Sequence, residues 1–365
     1  MDRDLREKII KIITVIVTVY LFLLSIKLLG HSFKLFGKDF AEAMLQTTSN
    51  PFTALIIGIV ATTLIQSSST TTSIVVGLVA GGVVNLENAI PIIMGANIGT
   101  TVTNTIVSLG HVGRKVEFKR AFAAGVVHDF YNICTVVVLF PLEQKFHLIQ
   151  RSAVILNKNF QGVGGMKLFN PLKAILNPVI IKIDTMVATI QYKEILLLIV
   201  SIASMFIALA FLIKTIRSLV VNKIEIIINT YLFKNDAMGM FWGSIMTFIV
   251  QSSSVTTSLI VPLAGAGIVK LRKIFPYTLG ANIGTTGTAL LAALATGNPF
   301  AVTASFAHLV FNIFGIFVFY PLKQVPIQMA IKASEFVAIS KKNLIVFLLL
   351  YSMVYFVPII FIVFV

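Results

Sequence analysis

The sequence predicts an all-α integral membrane protein made of two inverted-topology repeats, each with a re-entrant helical hairpin carrying QSSS at its tip. Three observations lead there. The 365 residues are 57% hydrophobic and 12% charged, with a mean hydropathy of +0.95, a composition for which lipid is the natural solvent. QSSSTTTS at 66–73 returns as QSSSVTTS at 251–258, seven of eight residues identical at an offset of 185. The basic connectors change places between the two halves.

The elements follow in order. Apolar runs at 9–29, 89–110, 119–141, 195–213, 274–295, 301–321 and 344–365 are each close to the roughly 20 residues that span a bilayer. The first follows MDRDLREK with no small-residue cleavage pattern, so it is expected to remain as the first span. The stretches 51–84 and 237–269 are too short for two crossings of roughly 20 residues each and long enough for a hairpin that enters to mid-depth and returns. The expected organisation is a first repeat over 1–142, an extracytoplasmic connecting segment over 143–194, a second repeat over 195–322, and a cytoplasmic connector with a final span over 323–365.

The repeat is more extensive than its tip. GANIGTT at 95–101 recurs unchanged at 280–286, Gly58 maps to Gly243 and Pro91 to Pro276. After a shorter connector, HDFYN at 128–132 corresponds to HLVFN at 308–312, and FPLEQ at 140–144 to YPLKQ at 320–324. NLEN at 85–88 has no Lys or Arg and GRKVEFKR at 113–120 has four, whereas in the second half KLRK at 270–273 is basic and TGNPF is uncharged. Because basic connectors stay inside, the halves lie in opposite senses, as in many secondary transporters. The net charge of +15 is accounted for by these connectors, so nucleic acid is not an expected partner. The single cysteine, Cys134, offers no intramolecular disulfide.

The chemistry lies in the polar stretches. Non-helical backbone at membrane depth needs protein or water to satisfy it. A Ser- and Thr-rich tip does so, and the N-terminus of the returning half-helix favours an anion. In GANIGTT the glycine pairs Gly95/Gly99 and Gly280/Gly284 allow helices to approach, while Asn97, Thr100, Thr101, Asn282, Thr285 and Thr286 present oxygens suited to a hard cation or an oxyanion. Of the fourteen Asp and Glu residues, Asp129 alone falls well inside an expected span, which marks it as functional. It suits a sodium ligand, a proton carrier or a structural partner of His128 or a hydroxyl. His128 and His308 lack the companions of a metal site and are expected to hydrogen-bond within the bundle.

Paired QSSS motifs, each followed by GANIGTT and then H-x-x-[FY]-N, resemble the type II sodium-phosphate cotransporters and their bacterial relatives, over roughly 50–142 and 237–322. The resemblance implies an inverted-repeat symporter importing inorganic phosphate with sodium, with phosphate held by Gln66, Ser67, Ser68, Ser69, Asn97, Gln251, Ser252, Ser253, Ser254 and Asn282. It implies sodium at Asp129, Asn132, Thr100, Thr101, Thr285, Thr286 and Asn312, and an Asp at position 129 is the family's mark of electrogenic members. Sodium is then a co-transported ion and no organic cofactor is expected. The implied setting is the cell (inner) membrane, multi-pass with a cytoplasmic N-terminus, and a homodimer is the candidate assembly. Vertebrate members carry a large disulfide-linked outer loop, but 143–194 is short and free of cysteine. HVGRK at 111–115 lacks an acidic residue common in those members, and a C-terminal regulatory domain, as in some bacterial relatives, is not expected. The competing readings are a carrier or channel for another oxyanion such as arsenate or sulfate, and a membrane-embedded hydrolase. The hydrolase is disfavoured because a nucleophile needs one serine and one base, whereas QSSS is duplicated in full.

Overall fold

The computed structural model describes residues 3–36, 42, 45–162, 170–227 and 234–364, and among them every regular element is a helix. Helix α1 (Arg3–Leu35) precedes a pair of short helices, α2 (Pro51–Ile65) and α3 (Ser68–Gly81). Asn50 caps α2 by accepting from the amides of Phe52 and Thr53 at 2.9 and 3.3 Å, and Pro51 fills the first turn, where no N–H is needed. The chain leaves α2 through Gln66 in the left-handed region (φ 58°, ψ 27°) and enters α3 through extended Ser67, whose hydroxyl accepts from the Thr70 amide at 3.2 Å. Fifteen and fourteen residues rise only about 22 Å each, less than the roughly 30 Å of hydrocarbon.

Helix α4 (Leu86–Gly99), capped by Asn85, is followed after a break at Thr100 and Thr101 by α5 (Val102–Leu109). Helix α6 (Lys115–Phe146) carries HDFYN. The amides of Ile149 and Gln150 then donate to the Glu143 carboxylate at 2.6 and 3.2 Å, fixing the start of α7 (Leu148–Gly162). Helices α8 (Asn170–Met186) and α9 (Lys193–Ile227) follow.

The second set opens with α10 (Asp236–Val250), capped by Asn235. Gln251 repeats the left-handed turn (φ 60°, ψ 23°), and extended Ser252 caps α11 (Ser253–Ser258) at the Val255 amide. A break at Leu259 separates α11 from α12 (Ile260–Gly265), because Pro262 has no N–H to give the Ser258 carbonyl. The corresponding residue of the first set is Gly77, and α3 runs unbroken. Helices α13 (Leu271–Thr296), α14 (Pro299–Phe319), α15 (Gln324–Ile339) and α16 (Lys341–Phe364) follow.

Three features add detail to the expected outline. The basic stretch from 214 continues α9 as helix through Ile227, and 228–233 lie outside the described residues. The connector after residue 323 is itself a helix, α15, whose Ile327, Ala330 and Val337 are buried in a cluster shared with Phe118, Phe122 and Val126 of α6. The segment 143–194 is largely the helices α7 and α8, and Asn157 of α7 donates to the Thr303 hydroxyl of α14 at 2.8 Å; residues 163–169 lie outside the described residues.

Among the described residues, Ile9–Leu35, Leu86–Leu109, Lys115–Phe146 and Pro299–Phe319 are long and apolar enough to cross a membrane. Exposure is inverted relative to a water-soluble domain. Ile16, Leu64, Val137, Phe300 and Phe317 lie on the outside, while Ser68 to Ser73, Asn97, Asn104, His128, Asp129, Asn132 and Asn282 are buried. A chain surrounded by hydrocarbon gains nothing by burying only apolar groups, so close packing and internal hydrogen bonds must hold it together. The glycines provide the packing. A Cβ on Gly58 would lie 2.0 Å from the Ile92 carbonyl oxygen, and one on Gly95 2.0 Å from that of Leu55, so α2 and α4 touch backbone to backbone. Gly243 and Gly280 bring α10 and α13 together in the same way, with 2.2 Å to the Tyr277 oxygen and 1.9 Å to that of Met240.

Gly95→Ala and Gly280→Ala should each destabilise the fold by roughly 3 kcal/mol, because backbone cannot yield as a side chain does. Gly113→Ala, where nothing lies within 4 Å, should have no effect. Thermal unfolding of the purified variants in one detergent measures the difference, and equal melting temperatures would remove the packing role.

Candidate functional site

Each QSSS turn is locked by its own glutamine. The Gln66 amide nitrogen donates to the Thr63 carbonyl, and its oxygen accepts from the Thr103 hydroxyl at 2.8 Å. Gln251 does the same with the Phe248 carbonyl and the Thr288 hydroxyl. A left-handed residue other than glycine is unfavourable, and here its side chain ties the turn to the threonine two positions past GANIGTT, on α5 in the first half and on α13 in the second. Ser67 and Ser252 act as helix caps, so their hydroxyl oxygens are engaged locally. Ser68 and Ser253 are buried, and their carbonyls accept from the hydroxyls of Thr72 and Thr257. The third serines differ: Ser254 donates to the Thr100 carbonyl at 2.9 Å, while the buried Ser69 hydroxyl has no partner.

The asparagines join the halves. Asn132 donates to the Asn97 carbonyl at 2.7 Å and Asn312 to the Asn282 carbonyl at 3.3 Å. Asn282 donates to the Asn132 side-chain oxygen at 2.8 Å, and its own oxygen meets His128 Nε2 at 2.6 Å. Asn97 instead turns back to the Ile93 carbonyl at 3.0 Å, leaving both His308 nitrogens and the Asn312 oxygen without partners. Asn104 and Thr257 make a further cross-half contact at 2.9 Å.

Asp129 lies apart from this chain of amides. Its carboxylate accepts from the hydroxyls of Thr101, Thr105 (3.2 Å), Tyr351 (3.0 Å) and Tyr355 (3.0 Å). His128, its sequence neighbour, points elsewhere, to Asn282, as the 100° step between adjacent helix residues requires. Thr101 is thus brought to Asp129. The hydroxyls of Thr100, Thr285 and Thr286 bond back to carbonyls of their own helices, and Asn132 and Asn312 join the amides rather than the carboxylate. Several participants are not among the residues singled out by motif. Thr103 and Thr288 stand two positions past GANIGTT at the same 185-residue offset, so extending the repeat comparison finds them. Thr105, Tyr351 and Tyr355 belong to no repeated motif, and the only signal is the spacing of four between the tyrosines.

No solved structure matches the chain. Sodium-dependent phosphate transport protein 2A of Rattus norvegicus is 35% identical over 401 residues, covering 88% of this chain and 63% of that protein. Protein 2B of Homo sapiens is 32% identical over 432 residues, covering 90% of this chain and 63% of its own length. The chain therefore spans about three fifths of the length of these relatives. The pattern of the Na+/Pi-cotransporter family matches residues 21–168 and 205–339, which include both QSSS turns, both GANIGTT segments and both asparagine–histidine helices, and the chain belongs to that family.

Proposed function

We propose that the protein imports inorganic phosphate together with sodium, as a secondary carrier working by alternating access between two inverted halves. The observation that carries this reading is the pair of QSSS turns: segments 185 residues apart bend identically, each pinned by a Gln–Thr hydrogen bond. We read each as the tip of a re-entrant hairpin, since its first arm is fifteen residues long and so falls short of the bilayer thickness. An anion is then met by helix-start N–H groups and hydroxyls, with no Lys or Arg in either QSSS segment. Gln66, Ser67, Ser68, Ser69 and Asn97 would receive phosphate from one half, with Gln251, Ser252, Ser253, Ser254 and Asn282 from the other. Sodium is assigned to Asp129 and Thr101, with Thr100, Asn132, Thr285, Thr286 and Asn312 around it, and it binds first so that its charge draws the anion. The printed names of the mammalian relatives favour phosphate over arsenate or sulfate. The basic connectors favour a cytoplasmic N-terminus in an inner membrane.

Asymmetry between matching side chains supports two states. Asn282 reaches His128 across the halves while Asn97 bonds to its own helix. Ser254 reaches Thr100 while Ser69 has no partner, and Thr247 meets Thr256 at 2.7 Å while Thr62 has none. A duplicated unit that makes one set of contacts at a time suits a carrier, which must be stable in two arrangements.

In proteoliposomes with an inward sodium gradient, labelled phosphate should accumulate above its external concentration, and it should not do so with potassium. Excess unlabelled phosphate should abolish the uptake and excess sulfate should leave it. Equilibration without accumulation would favour a channel, and competition by sulfate another oxyanion.

Asp129→Gly should lower the charge moved per phosphate by about one, measured as current against tracer uptake, at a helix-propensity cost of only about 0.3 kcal/mol. An unchanged ratio would remove Asp129 from coupling.

A further inference from the structure

The final helix contributes to the site something the duplication does not explain. Asp129 has Leu309 as its counterpart in the second half, and α16 lies beyond both repeats and beyond the matched residues, which end at 339. Yet two of the four hydroxyls on the Asp129 carboxylate come from α16, both on the same oxygen, Oδ1, at 3.0 Å. They are held there by a run of rings. Phe122 of α6 meets Phe347 edge-on at 5.3 Å, Phe347 stacks on Tyr351 at 5.8 Å, and Tyr351 lies 4.7 Å from Tyr355. Positions 347, 351 and 355 are four apart and share one helix face.

An ionised carboxylate only accepts, with about two lone-pair sites on each oxygen; three O–H donors, from Thr101, Tyr351 and Tyr355, crowd Oδ1, while Thr105 alone reaches Oδ2. A cation held by both oxygens needs the lone pairs of the crowded one. Of the threonine donors, Thr105 sits on α5 and Thr101 at the break between α4 and α5, where its hydroxyl also lies 3.2 Å from the Ile98 carbonyl. The tyrosine donors sit on a separate helix, and a cavity of about 160 Å³ opens between α5 and α16 beside Thr105, Tyr351 and Tyr355, giving the rings room to withdraw.

We infer that Tyr351 and Tyr355 hold the Asp129 carboxylate in the cation-free protein and must release it before sodium binds, so that α16 sets the sodium affinity of the carrier. They are positioning residues that compete with the ion. The inference rests on the reading of Asp129 as a sodium ligand.

Tyr351→Phe, Tyr355→Phe and the double variant test it, since each keeps the ring and removes only the hydroxyl. Half-saturating sodium for phosphate uptake should fall roughly tenfold or more, as expected when a hydrogen bond to a charged group is lost. Half-saturating phosphate at high sodium and the maximal rate should stay within about twofold. A rise in half-saturating sodium would make the tyrosines ligands, and no change would make them structural; either overturns the inference. Should a variant lose uptake, the sodium concentration that raises its melting temperature in detergent reads the same affinity. Asp129→Asn separates the two ideas. If it leaves sodium dependence as in the parent, the assignment of Asp129 fails; if it abolishes that dependence while the tyrosine variants behave as the parent, the competition alone fails.

Discussion

A turn packed among helices must satisfy its own polar groups, and the two glutamines that do this organise the rest of the molecule. Gln66 and Gln251 each take a left-handed backbone and spend their side-chain amides on a carbonyl of the helix they end and a threonine of the helix beside it. Beside each turn glycine lets the helices touch, α2 on α4 at Gly58, Gly95 and Gly99 and α10 on α13 at Gly243, Gly280 and Gly284. With the turn fixed, the serine after each glutamine caps the next helix, and the following hydroxyls are delivered to the interior. Turn, glycine contact and polar core are thus one arrangement. Losing any part leaves backbone groups unsatisfied where water is scarce.

The interior so formed is almost entirely neutral. Asparagines, serines and threonines bond to one another and to carbonyls across the halves, and among the described residues the one carboxylate in that network is Asp129, wrapped in hydroxyls. A hydroxyl-rich network around one carboxylate suits a site that a cation and an anion would enter together, each offsetting the charge of the other.

Much of this was legible in the sequence because membrane depth leaves few choices. Apolar runs near 20 residues, paired tips and exchanged basic connectors were enough to outline the helices: α1 and α6 reach past their runs at both ends, and α14 is shifted two residues toward the N-terminus of its run. What escaped was decided by tertiary contacts. GANIGTT is identical in both halves, yet the helix breaks at Thr100 and Thr101 and runs straight through Thr285 and Thr286. Local sequence cannot distinguish them. The difference lies in Ser254, whose hydroxyl takes the Thr100 carbonyl, while Ser69 makes no matching bond. Helix α15 was missed because its polar face resembles a connector, although its apolar residues pack on α6. Tyr351 and Tyr355 were missed because repetition was the guide and they occur once.

The central claim is that the two QSSS turns together hold the transported anion, and the most direct measurement is a cryo-electron microscopy structure of the protein in lipid nanodiscs with saturating sodium and phosphate. The account predicts a tetrahedral density bounded by Gln66–Ser69 on one side and Gln251–Ser254 on the other, with a second feature beside Asp129. Phosphate density absent from those turns and found instead at a basic surface, such as the cavity lined by Lys115, Lys119, Arg120 and Lys270, would contradict it.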